Sequence, residues 1–288
     1  MPSQKSIIFC ELSRDARQLI ADYAESLRAA APDIGAHGMN AEEFWSSGLF
    51  QSAIEKLRGV QSATTDIKRG FISDILNHMK EANAIDDWRF RGSGERHDYE
   101  ITIGQRTCVI EAKGCLDGNN TNIFERPANA DEFIIWSLCQ NPGSDPRHNA
   151  WSGIHTRLSA EIIHRKQIVD GLIIWDMFCG QGRICPKLTL TPQRATELGK
   201  RVVPPPCIYL FPKTVPDPRN NPSPKTRDLD EVTFLERLHR SFKGEPSDIV
   251  GVKIEARMTG ADVERRTICY REGTEIKQSR WTKLRRAK

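Results

Sequence analysis

Leu172-Ile173-Ile174-Trp175 is an unbroken apolar run entered from Asp170-Gly171, and it constrains the fold more than any other stretch of the chain. A half-buried strand alternates apolar and polar residues, whereas a continuous run is the pattern of a strand buried on both faces. Such a strand belongs inside a sheet covered on either side. Phe133–Cys139 and Cys207–Phe211 are runs of the same kind, and the stretch between the first two holds a predicted helix, Ser152–Gln167. The reading is a mixed α/β core. A chain of 288 residues, 38% apolar and 28% charged, has ample length and ordinary composition for one.

Other segments arrange themselves around this core. Leu12, Leu19, Tyr23 and Leu27 recur at near-helical spacing until Pro32; Phe44, Trp45, Phe50, Ile54 and Leu57 suggest a second helix. A third, from Thr65 to Ala82, carries Ile67, Phe71, Ile72, Ile75 and Met79 on one face. His97–Gly104 and Thr107–Gly114 read as two short strands joined at Gly104-Gln105-Arg106. Pro212–Pro224 is a proline-dense loop, Leu229 to Phe242 a helix, and Ile249–Gln278 an antiparallel hairpin turning at Thr259-Gly260-Ala261-Asp262. The expected organisation is a helical N-terminal layer over 1–64, a core over 65–213, and a loop, helix and basic hairpin with tail over 214–288.

Net charge is only +4, but 251–288 holds 11 Lys/Arg against 5 Asp/Glu, and Arg280 to Lys288 has five bases and no acid. That end is either a phosphate-contacting arm or a solvated tail. The eight cysteines show no Cys-x-x-Cys spacing, and Cys108, Cys139 and Cys207 sit inside apolar runs as small hydrophobes. No apolar run approaches membrane-spanning length, and the start, Met-Pro-Ser-Gln-Lys, carries no secretory segment. A cytoplasmic protein without structural disulfides is expected.

The chemistry concentrates in Asp98-Tyr99-Glu100-Ile101-Thr102-Ile103-Gly104 and Thr107-Cys108-Val109-Ile110-Glu111-Ala112-Lys113. A hairpin brings Asp98, at the start of one strand, beside Glu111, late in the next. Alternation puts Glu111 and Lys113 on one face. Two adjacent carboxylates repel and call for a cation. Mg²⁺, which prefers carboxylate, carbonyl and water oxygens, suits them, with the Ala112 carbonyl as a further ligand. Bound there it would polarise a phosphate and activate water, and Lys113 would orient that water or offset developing negative charge.

Spacing alone does not single this motif out. Three acidic-x-Lys triplets occur: Asp66-Ile67-Lys68, Glu111-Ala112-Lys113 and Glu275-Ile276-Lys277. The third has Asp262 thirteen residues upstream, the separation of Asp98 from Glu111. Context separates them. The first opens a helix and the third lies in a polar, edge-like segment. Only Glu111 follows a buried-looking run, Cys108-Val109-Ile110, which supplies the low-dielectric wall that makes a fixed metal site effective.

The arrangement resembles the PD-(D/E)xK nuclease superfamily, and within it the type II restriction endonucleases. The resemblance covers the motif and the order of elements from about Thr65 to Phe211: helix, hairpin, crossover helix, further core strand. It departs where that family often has proline before the first acid, since His97 stands there. It implies a restriction-endonuclease-like mixed sheet flanked by helices and a Mg²⁺-dependent cut in double-stranded DNA leaving a 5′-phosphate. Catalysis would fall to Asp98, Glu111 and Lys113, and metal ligation to Asp98, Glu111 and Ala112. Cutting both strands implies a homodimer, for which the N-terminal helices are the candidate interface. The family often adds an acid from the preceding helix, for which Asp74 is the best placed. A repair or transposition nuclease of the same fold, and a DNA-binding module with a structural acidic pair, stay open.

Further residues have two readings each. Asn119, Asn120, Asn122 and Arg126 follow the catalytic strand and are the residue types that read adenine and guanine edges, though Asn-rich turns also occur without ligands. Glu100 is a third acid at the site or a solvent-facing side chain. His155, His164, Arg157, Arg165 and Lys166 line either a phosphate-facing or merely wet side of the crossover helix, and Arg147, His148, Asn149 and Trp151 a DNA-touching or ordinary surface loop. No Walker, Gly-x-Ser-x-Gly or His-Glu-x-x-His motif is present, which weakens ATPase, esterase and zinc-peptidase readings.

Overall fold

The computed structural model of the chain describes residues 13–54, 57, 66–92, 97–113, 125–137, 146–175, 192–199 and 201–284. Asn119, Asn120 and Asn122 of the expected base-reading loop lie outside the described residues. Helix α1 (Arg14–Ala30) starts at Ser13, whose hydroxyl accepts from the Ala16 amide, and runs into a 3₁₀ turn at Ala31–Asp33. Helix α2 (Ala41–Ser47) opens on a reciprocal capping box between Asn40 and Glu43 and closes on Gly48 at φ +75°. Helix α3 (Asp66–Glu81) follows.

Then comes the sheet: β1 (Asp87–Phe90), β2 (Tyr99–Ile103), β3 (Arg106–Lys113), β4 (Glu132–Ser137) and β5 (Gly171–Ile174). Between β4 and β5 run α4 (Pro146–Gly153), a π-helical turn (Ile154–Leu158) and α5 (Ser159–Arg165). Strands β6 (Thr196–Leu198) and β7 (Arg201–Val203) form a small separate ribbon. After β8 (Cys207–Leu210) come α6 (Thr233–Ser241), β9 (Ile249–Thr259), β10 (Asp262–Arg271), β11 (Thr274–Gln278) and the short β12 (Thr282–Lys283).

The architecture is α/β, on a mixed ten-stranded sheet in the order β1-β2-β3-β4-β5-β8-β9-β10-β11, with β12 beside β10. β1, β2 and β3 are antiparallel neighbours, β3, β4 and β5 are parallel, and β8 reverses direction against β5. The strands read from continuous apolar runs are the central ones, with every residue of β4, β5 and β8 buried. One face packs on α3 and α6 through Phe71, Ile75, Leu235 and Leu238 against Tyr99, Ile101, Ile110 and Trp136. The other packs on the α4–α5 crossover through Ala150, Ile154, Leu158 and Ile162 against Val109, Ile135 and Leu172. Each such fully buried large side chain contributes about 2 kcal/mol of transfer free energy.

Besides β6, β7 and β12, which the sequence reading does not include, three elements depart from expectation. Helix α4 begins at Pro146, inside the stretch read as a polar loop; proline at a first helical position sacrifices no hydrogen bond. β1 was not foreseen. The expected C-terminal hairpin exists but continues into β11 through Glu272-Gly273, both at positive φ as a two-residue hairpin turn demands. Because β9 pairs in parallel with β8, this meander prolongs the core sheet.

Candidate active site

The β2–β3 hairpin sets the site. Gly104 takes φ +59° at the first loop position, where a type II′ turn needs glycine. The turn fixes the register Tyr99↔Ile110, Glu100↔Val109 and Ile101↔Cys108. Opposed residues of antiparallel strands share a face, so Asp98, Glu100, Val109, Glu111 and Lys113 share one. It is the face covered further along by the α4–α5 crossover. Beside Glu111 and Lys113 on the next strand stand Ile135 and Ser137, both buried.

Asp98 ends the ladder. Its amide donates to the Ile110 carbonyl at 3.1 Å, and its own carbonyl accepts from the Arg91 amide at 2.8 Å. Its side-chain Oδ2 accepts from the Ala112 amide at 2.8 Å. A strand residue's N–H and C=O point to the same edge, so the Ala112 carbonyl is also directed to the Asp98 side. Lys113 Nζ donates to Glu111 Oε1 at 2.5 Å, and both side chains are largely buried. Burial pushes the Glu111 carboxyl above its ordinary range; Lys113 pulls it back and the Asp98 charge pushes it further up. The structure therefore brings Asp98, Glu111 and Lys113 together at one end of the sheet.

The other acidic-x-Lys triplets have no such setting. Glu275, Ile276 and Lys277 lie exposed on β11, the edge strand. Asp262 and Glu275 flank opposite ends of β10, and Asp262 pairs instead with Lys283. Asp66 opens α3, a helix and not a strand.

Glu100 shares the face of Asp98, but its buried carboxylate is taken. Arg89 donates Nε and Nη2 to Oε1, and Arg91 donates Nε and Nη2 to Oε2. Desolvation opposes its ionisation, and the two guanidiniums outweigh that, holding it below the usual carboxylate range. His97, buried behind it, has no hydrogen-bond partner on either ring nitrogen among the described residues; its Nε2 lies 3.6 Å from Glu100 Oε2.

Arg126 is elsewhere. Its guanidinium pairs with the buried Asp170 carboxylate at 2.7 Å and donates to the Ala130 and Asp131 carbonyls. Those partners sit at the starts of β4 and β5, the opposite end of the sheet from Glu111. Asp170 also accepts from the Phe133 amide and pairs with Arg227, so the group ties strand ends together. Asp74, on α3 across the sheet from Glu111, lines a cleft with Asn77, His78 and Glu81 of the same helix and Glu197 of β6. His155 stacks on Trp151 at 5.6 Å, burial and then the Arg265 charge hold its ring below the ordinary histidine range, and His164 is exposed.

Sequence reasoning missed Arg89 and Arg91, because β1 was not recognised, and Glu132. The buried Glu132 carboxylate accepts from the Thr233 and Phe234 amides at 2.7 and 2.9 Å, meeting the positive end of α6.

Among the described residues no three His, Cys, Asp or Glu side chains group to hold a metal by themselves. What converges is two carboxylates and a strand carbonyl. That set fits Mg²⁺, which keeps several waters and takes one or two carboxylates alongside substrate phosphate. A carboxylate whose ionisation burial and a like charge both oppose is one a divalent cation would relieve. Comparison with protein-family models, with curated proteins and with solved structures finds no match.

Proposed function

We propose that the chain is a Mg²⁺-dependent endodeoxyribonuclease on a restriction-endonuclease-like core, cutting double-stranded DNA at a defined sequence in the manner of the type II enzymes it resembles. The observation that carries this reading is the Asp98 carboxylate held on the Ala112 amide, beside Glu111 and Lys113. It fixes both acids and the ammonium at one end of a hairpin.

Asp98 and Glu111, with the Ala112 carbonyl, would hold the cation. Bound there, it would supply Lewis-acid polarisation of the phosphoryl oxygen and a more acidic water. Lys113 moves from Glu111 to the attacking water and to the developing negative charge. The water oxygen bonds to phosphorus, the bond to the 3′ oxygen breaks, and a 5′-phosphate and a 3′-hydroxyl result. The dry wall of Val109 and Ile135 keeps these charges strong.

A second copy of the chain would supply the second cut. Supporting this, α1 has no buried residue and, among the described residues, touches the turn after it. Leu19 is 69% and Tyr23 66% exposed on its apolar stripe. Arg17 and Arg28 flank that stripe on one side and Asp15 and Asp22 on the other, so two copies of α1 laid parallel set unlike charges together.

The test is incubation of the purified protein with long mixed-sequence DNA and Mg²⁺. Discrete fragments are expected. A smear would point to a non-specific or partner-guided nuclease of this fold, and intact DNA bound by the protein to a non-catalytic module.

A further inference from the structure

Arg89 and Arg91 sit on one carboxylate with donors to spare. β1 is the edge strand at the end of the sheet away from β11, and its pairing with β2 puts Arg89 opposite Glu100, on the face of Asp98 and Glu111. Arg91 comes next on that face, its amide bonded to the Asp98 carbonyl. Across the strands Arg91, Asp98 and Glu111 therefore stand in a row, about 10 Å from end to end at backbone spacing. The shared Glu100 side chain is 8% exposed, whereas Arg89 is 62% and Arg91 33% exposed.

Two guanidiniums on one carboxylate leave one positive charge in excess at that cluster, set against the Asp98 and Glu111 carboxylates and the Lys113 ammonium along the same face. Each uses Nε and Nη2 on Glu100, and among the described residues neither Nη1 has a partner. A buried ionised acid thus holds both forks in a fixed orientation beside the site. Arginine forks ordered in advance bind phosphate oxygens at low entropic cost. Were the pair there only to neutralise Glu100, one arginine would suffice.

We propose that Arg89 and Arg91, aligned by Glu100, form an anion subsite that takes a non-scissile phosphate of the nucleic-acid strand whose neighbouring phosphate lies at Asp98 and Glu111. The inference rests on the nuclease reading. In it Glu100 is a positioning residue, not a third metal ligand.

The experiment is equilibrium binding of a DNA duplex to the full chain without divalent metal, over a salt series. Wild type, Arg89→Gln, Arg91→Gln, Arg89→Lys, Arg91→Lys and Glu100→Gln are compared, with melting temperatures to confirm folding. Each Gln variant is expected to reduce the slope of log K against log salt by about one, the signature of a lost phosphate contact. Each Lys variant keeps the slope but binds more weakly, because the charge remains and the fork does not. Glu100→Gln keeps the slope and loses affinity, because both arginines stay charged but are no longer held. Wild-type binding with unchanged slopes in folded Gln variants overturns the subsite and leaves the nuclease reading standing. No DNA binding by wild type overturns both. Should a Gln variant fail to fold, the Lys variants decide: affinity equal to wild type overturns the subsite.

Discussion

Asp98 accepts a hydrogen bond from the main-chain amide of Ala112, so the acid at the start of one strand is positioned by the backbone of the strand that carries the other acid. The Asp98 carboxylate is thereby placed by hairpin register, while Glu111 is held by its own ion pair with Lys113. Asp98→Asn keeps an acceptor for that amide and loses the charge. It should bind DNA nearly as wild type and cut at least ~100-fold more slowly, on the order of what removing one charge-stabilising group costs. Asp98→Ala should cut as poorly and also lose about 1 kcal/mol of stability, from the unpaired amide. Lys113→Ala should bind and not cut. Gel cleavage assays beside binding titrations measure both, and retained cutting in the Asp98 and Lys113 variants sinks the site.

Glu111 is the residue through which metal should register as stability. Burial and the neighbouring Asp98 oppose its ionisation, so Mg²⁺ should raise the melting temperature of wild type, increasingly with concentration. In Glu111→Gln the metal-free protein should melt at or above the wild-type temperature, and Mg²⁺ should shift it little. An equal Mg²⁺ shift in both proteins would remove Glu111 from the ligand set.

Arg126→Ala should lower stability, by about 3 kcal/mol on the scale of broken buried ion pairs, because Asp170 loses one of two partners. The fragment pattern on DNA should stay the same. A changed pattern with unchanged melting would return Arg126 to base reading.

Glu255 on β9 supplies an acid-sensitive increment. Desolvation opposes its ionisation, but hydrogen bonds from Lys253 and Arg266 prevail and hold it below its ordinary 4.5. A depressed folded value means stability present above the unfolded pKa and lost as pH falls through the folded one. Glu255→Gln should therefore cost about 1 kcal/mol at pH 7, with the gap to wild type closing in acid below pH 4.5. Denaturant melts at several pH values test this; a gap constant with pH would refute it.

Leu19→Glu with Tyr23→Glu should convert a dimer to a monomer, read by light scattering after size exclusion, while leaving the melting of the sheet core unchanged because α1 buries none of its residues among the described ones. Wild type running as a monomer would rule out the second copy.

Residues that carry their own environment were legible in the sequence. β4, β5 and β8 announced themselves because a strand buried on both faces tolerates no polar residue inside it. The Asp98–Glu111–Lys113 grouping was legible because a short hairpin turns sequence spacing into spatial neighbourhood. β1 was not: four residues, Asp87-Trp88-Arg89-Phe90, alternate too briefly to stand out, and with that strand went the arginines on Glu100. The role of Arg126 was hidden because Asp170, its partner, is 44 residues away. Asp74 was placed near the site by analogy of helix order, yet the apolar face of α3 turns to the far side of the sheet.

The carboxylate of Glu132 meets the first amides of α6 from a position 101 residues upstream. A chain emerging from the ribosome makes that acid long before its partner, and β8 gains its outer neighbour β9 only later still. Half-made molecules thus hold Glu132 with Arg106, made before it, but without its helix amides, while the β8 edge waits for β9, and high contact order of this kind slows closure. The cap on α6 is therefore a late event of folding, and until β9 arrives the edge of β8 stays open to stray strands.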